Sequence, residues 1–142
     1  MKLIIGATDG SEGAERAIAF AADIAKSCGA KLLLVYVSQD KFTQKELNLL
    51  EQLRVTQGDA IEEISGRIFK ASTVARGRGA STVETMATSG DPAKLLIELA
   101  GSKHADAIAV GRRGHSELEG LLLGSVSQKL SCLAPCVVIV VP

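Results

Sequence analysis

The sequence predicts an α/β fold: one domain over residues 1–142, an open five-stranded parallel sheet with helices on both faces. Five short apolar runs lack the polar alternation of half-exposed strands, so they read as strands covered on both sides. Stretches with apolar residues at helical spacing fall between them. Strand and helix thus alternate from end to end, which implies a parallel sheet joined by right-handed crossovers. A length of 142 residues suits one domain with a real core.

The first strand is Leu3–Thr8, halted by Asp9-Gly10-Ser11. Ala14, Ala17, Ile18, Ala21, Ile24, Ala25 and Cys28 then repeat at helical spacing, with Glu15, Arg16, Asp23 and Lys26 on other faces. Ser11 caps that helix and Gly29 ends it. Its alanines suit close packing on a sheet. Lys31–Val37 is the second strand. Glu46–Arg76 reads mostly as helix, with Ile61, Ile64, Ile68 and Ala71 on one face and a break or kink at Gly58. Arg76 and Arg78 at its tail fit the negative end of a helix dipole; the alternative is contact with an acidic ligand. Val83–Thr88, the least apolar run, belongs at a sheet edge. Asp91 and Pro92 open the next helix as N-cap and first residue, and Ala93, Leu96, Ile97 and Ala100 form its buried stripe. Ala107–Val110 is the fourth strand, Ser125–Cys132 a short helix and Cys136–Val141 the fifth strand.

Composition removes several function classes. Basic and acidic residues balance at 16 each, which offers no charge excess for nucleic acid or an anionic membrane. Aromatics are only 3%, too few for a platform that stacks single-stranded bases. No apolar run approaches the ~20 residues of a membrane helix, and Met1-Lys2 runs straight into a strand rather than a signal segment. A soluble, cytoplasmic protein is expected. Cys28, Cys132 and Cys136 form no disulfide framework, and with His104 and His115 far away they read as small buried thiols rather than a zinc site.

The densest signal is Gly111-Arg112-Arg113-Gly114, nine further residues, then Gly124-Ser125. It leaves the fourth strand and ends at a helix start. Glycines let backbone N–H groups converge on an anion, and the first turn of a helix adds partial positive charge. This spacing resembles the nucleotide-binding motif of the universal stress protein family, in its ATP-binding branch. Ile4–Ser11 resembles that family's first strand and acidic turn, Ser89–Ala93 its third strand–helix junction, and Ala134–Val141 its last strand. The resemblance covers nearly the whole chain, most weakly over Gln39–Ala80.

The resemblance implies strand order 3-2-1-4-5, with a ligand crevice where the chain reverses direction, outside the C-terminal strand ends. It implies ATP as ligand, with Mg or Mn accompanying the phosphates. Ala7 and Thr8 would line the crevice, and Asp9 would hold ribose hydroxyls; the other role for Asp9 is that of a turn residue. The backbone of Val37 would meet the adenine edge. Val110, Gly111 and Gly114 would approach ribose and α-phosphate. Gly124, Ser125, Val126 and Ser127 would form the anion site, with the two serine hydroxyls as donors. The family also pairs its last strand with a two-fold mate, so a homodimer through residues 136–141 is expected. Protein partners stay unspecified.

Arg112 departs from the small polar residue common in the family, and solvent is its expected surrounding. His115, Glu117 and Glu119 are acid–base groups by type alone. The sequence has no G-x4-G-K-[ST] loop, no G-x-G-x-x-G after the first strand and no G-x-S-x-G elbow. A binding module that regulates a stress or signalling response is therefore expected. The alternatives are a slow metal-dependent ATPase built on His115 and an interaction protein that no longer uses nucleotide.

Overall fold

The first strand ends up in the middle. In the computed structural model, which describes residues 1–38, 59–112 and 123–142, Leu3–Thr8 (β1) lies between Lys31–Ser38 (β2) and Ala107–Gly111 (β4). Val83–Ser89 (β3) and Val137–Val141 (β5) form the two edges, so the order is β3-β2-β1-β4-β5 with every pairing parallel. The register runs Leu3 to Lys31 through Thr8 to Tyr36 on one side of β1, and Ile4 to Ala107 through Gly6 to Ala109 on the other. This is the order implied by the family resemblance.

Four helices are described: α1 (Glu12–Cys28), α2 (Asp59–Gly77), α3 (Pro92–Ser102) and α4 (Ser125–Leu133). The period-2 geometry of the strands sorts the core into two layers. Ile4, Leu32, Leu34, Ala107 and Ala109 point to the face covered by α1 and α2. Ile5, Leu33, Val35, Ile108 and Val110 point to the face covered by α3 and α4. Each large aliphatic side chain removed from water here contributes about 1.5–3 kcal/mol.

Helix α1 packs its alanines, Ala14, Ala17, Ala21, Ala22 and Ala25, inward. Ser11 accepts a hydrogen bond from the Ala14 N–H at 3.2 Å, and Gly29 takes the C-cap. The backbone of α1 comes so close that a Cβ on Gly111 would stand 2.8 Å from the carbonyl carbon of Gly13 and 3.0 Å from the Ala14 nitrogen. Gly111 is thus a glycine for the sake of helix–strand contact, a reason independent of any ligand.

Several expectations need adjustment. The start of the long helix, residues 46–58 with its break or kink at Gly58, lies outside the described residues, as does the side chain of Ile61; Ile64 and Ala71 are buried as expected. Asp91 occupies the N-cap of α3, but its side chain makes no capping bond, and Pro92 alone marks the helix start. Helix α4 begins at Ser125 as expected, with Gly124 as its N-cap, and runs one residue further than expected, to Leu133. Cys28 and Cys132 are exposed and Cys136 half-buried, so the buried-thiol reading fails for the first two. Burial, with the nearby Asp106 carboxylate, raises the Cys136 thiol pKa. No described helix is long and apolar enough to cross a membrane.

At the N-terminal edge of the sheet, the Asp106 carboxylate accepts the Lys2 N–H at 2.6 Å and the Leu3 N–H at 2.9 Å. These bonds fasten the start of β1 to the start of β4. They also hold the Asp106 pKa below the usual carboxylate range.

Candidate functional site

The chain winds from β1 through β2 to β3 on one side and crosses to β4 and β5 on the other. The C-terminal ends of β1 and β4 diverge at that reversal, and a crevice opens there by construction. It holds a cavity of about 290 Å³. Ala7, Thr8 and Asp9 line it from the end of β1, Val37 from β2, and Val110 and Gly111 from β4. Gly124, Ser125, Val126 and Ser127 close it with the first turn of α4. Ten of the eleven residues singled out from sequence therefore meet at one cavity; Gly114 lies outside the described residues, as do Arg113, His115, Glu117 and Glu119.

The turn after β1 is fastened locally. The Thr8 hydroxyl oxygen accepts the Gly10 N–H at 3.1 Å, and Asp9 Oδ1 accepts the Ser11 N–H at 2.9 Å. Asp9 thus performs the turn role open to it and also lines the cavity. Gly10 has φ of 82°, the left-handed region that glycine enters without a Cβ penalty. The side chain of Arg67 lies directly over it, where a Cβ on Gly10 would meet Arg67 Nε at 2.7 Å.

The glycine loop is closed at its base. The Arg112 carbonyl accepts both the Gly124 N–H at 2.7 Å and the Ser127 hydroxyl at 2.7 Å. That hydroxyl also lies 3.1 Å from the Gly124 carbonyl. A hydroxyl has one proton to give, so Ser127 braces the loop and its side chain is not the phosphate donor expected from sequence. The N–H groups in the first turn of α4 have no partner within the helix, and Gly124 has no side chain to cap them. Gly124 has φ of −73°, ordinary extended backbone, so its value lies in leaving that helix end uncovered.

Nine described lining residues were not singled out as site residues from sequence, and two of them are charged. Arg67, on α2, lines the cavity; its Nη1 donates to the Tyr36 hydroxyl at 3.0 Å, and its guanidinium carbon lies 5.7 Å from the Tyr36 ring centroid. The signal was present in the sequence, because Arg67 is the charged position within the stripe Ile64, Arg67, Ile68, Ala71. Arg112 also lines the cavity and is half-buried, where a solvent surrounding was expected. Its Nε is buried and has no hydrogen-bond partner among the described residues. Among the described lining residues, two guanidiniums stand against one carboxylate, Asp9. No described group of three or more His, Cys, Asp or Glu side chains is placed to hold a metal ion.

An open parallel α/β sheet with a cavity at its reversal point, bordered by a glycine turn and a helix start without a side-chain cap, defines a domain of the doubly wound class. The family model described as the universal stress protein family matches residues 1–142. A universal stress protein of Mycobacterium tuberculosis is 35% identical over 144 residues, covering 99% of this chain and 95% of that one. One from Thermus aquaticus is 31% identical over 140 residues, covering 99% and 98%. A universal stress protein solved in complex with cAMP is 27% identical, with a TM-score of 0.76 over 99% of this chain and 96% of that one. The chain belongs to the universal stress protein family.

Proposed function

We propose that this protein binds an adenine nucleotide, ATP foremost, in the cavity at the sheet reversal, and acts as a nucleotide-dependent stress or signalling regulator. The observation that carries the reading is the convergence of the β1, β2 and β4 ends with the uncapped start of α4 on one cavity. The buried, unpaired Arg112 Nε supports an anionic ligand there. Asp9 would take ribose hydroxyls, the Val37 backbone the adenine edge, and Gly111, Gly114 and Gly124–Ser127 the phosphates. Any Mg or Mn would arrive with the phosphates, since phosphate oxygens suit hard cations. The protein would work as a cytoplasmic homodimer through β5. Its donors suit phosphates already in place, and uniform binding of ground and transition states does not accelerate hydrolysis.

A second reading, cyclic AMP as the physiological ligand, is favoured by the similar protein solved with cAMP. Calorimetry with ATP, cAMP and GTP, each with and without Mg, tests both. ATP tighter than GTP is the expected result, cAMP tighter than ATP favours the second reading, and equal affinity for ATP and GTP sinks the adenine claim.

A further inference from the structure

Arg112 is anchored at its backbone, and its Nε has no partner among the described residues. Its N–H donates to the Val141 carbonyl at 2.7 Å, and its own carbonyl accepts the Gly124 N–H and the Ser127 hydroxyl. These bonds tie one residue to β5, to the far end of the glycine loop and to α4. The root of the side chain therefore cannot move without disturbing all three. From that fixed root Arg112 borders the cavity as a half-buried residue, with Nε shielded from solvent and without a partner among the described residues.

A buried donor without an acceptor is costly, and more so on a charged group. Among the described residues no acceptor meets it: the one described carboxylate of the lining, Asp9, follows β1 and takes the Ser11 N–H. The other lining guanidinium, Arg67, is engaged with the Tyr36 hydroxyl and ring. Arg112 stands instead beside the first turn of α4, where it and the helix N–H groups border the same space. A guanidinium offers two parallel N–H donors that match a phosphate edge.

We propose that Arg112 reads ligand charge: its guanidinium binds a phosphate oxygen and gives the cavity its preference for phosphorylated over neutral nucleosides. The assignment rests on the nucleotide reading above for the nucleoside, but the anion contact can be tested without one. Binding of adenosine, AMP, ATP and inorganic tripolyphosphate is measured by calorimetry on the unmodified protein, Arg112→Gln and Arg112→Lys. The Gln variant should bind AMP, ATP and tripolyphosphate roughly 10- to 100-fold more weakly, as for loss of a charge-assisted bond, with adenosine unchanged. The Lys variant should fall between, since it keeps the charge and loses the Nε donor. Equal weakening of adenosine and AMP would make Arg112 a structural brace, and unchanged AMP affinity would remove it from the site; either overturns the proposal. Tripolyphosphate that binds in an Arg112-dependent way, while ATP binds no better, supports the anion contact and sinks the adenine reading alone. No binding of any of the four by the unmodified protein overturns both.

Discussion

Replacing Gly111 with alanine adds one methyl group at a close contact between β4 and the start of α1. The new Cβ would lie 2.8 Å from the Gly13 carbonyl carbon, 3.0 Å from the Gly13 oxygen and 3.0 Å from the Ala14 nitrogen. All three are backbone atoms of α1, so no side-chain rotation relieves the clash; the helix start must lift from β4. Overpacking of this kind costs about 1–3 kcal/mol, and the backbone neighbours put the expected loss at about 2 kcal/mol or more. For a chain near this size, that lowers the melting temperature by about 4–8 °C. Gly66→Ala is the matched control: nothing lies within 4 Å of its added Cβ, and it sits inside α2. It should stabilise by roughly 0.5–1 kcal/mol through helix propensity. Urea denaturation of both variants decides the matter. A Gly111→Ala protein as stable as the unmodified one would refute the claim that α1 rests on β4 through this glycine.

Three other outcomes are expected. Asp9→Ala should weaken ATP binding by about 1–3 kcal/mol, and calorimetry with 2′,3′-dideoxy-ATP separates its roles: an undiminished preference for ATP would leave Asp9 as the turn residue that holds the Ser11 N–H. The folded-state pKa of Asp106 is depressed, so its contribution is fully present above the ordinary carboxylate range and is lost as pH falls through the lowered value; Asp106→Asn should flatten the acid limb of a stability–pH curve, and an unaltered limb would contradict this. The Val137 N–H turns inward to the Asp106 carbonyl, so strand alternation turns that of Val140 outward; sedimentation should find a dimer that Val140→Pro shifts toward monomer, and a monomeric unmodified protein would refute pairing through β5. Charges at Val138 or Val140 would be a poorer probe, since both pack against the α3–α4 layer.

The strands and α1 were legible because their signals are local: a run of Leu3-Ile4-Ile5 or a repeat of inward alanines needs no knowledge of distant chain. Strand order came from the resemblance, not from periodicity. What escaped the sequence is non-local. Gly111 reads as a ligand-facing glycine until Gly13, nearly a hundred residues earlier, is found against it. Asp106 looks like an ordinary loop acid, yet its partners are Lys2 and Leu3. Exposure is the default for arginine, and the backbone anchoring of Arg112 to Val141, Gly124 and Ser127, which places it at the cavity, has no local signal. Arg67 was the exception: its place on the Ile64–Ala71 stripe was visible, and its Tyr36 partner was not. Asp91 shows the reverse error, a capping residue by type that makes no side-chain cap.

The closure of the glycine loop on one carbonyl oxygen has an evolutionary consequence. Both ends of the segment between residues 112 and 124 return to the same atom, so the sheet meets them at one fixed hinge point whatever lies between. Closing a longer segment over that point costs little, about 0.6 kcal/mol for each doubling of length. The anchoring alone thus tolerates exchange of the intervening residues without disturbing β4, β5 or α4, and the fixed nine-residue spacing is left to the proposed phosphate contacts. Under the proposed nucleotide reading, ligand preference would change with that segment while the scaffold is inherited intact.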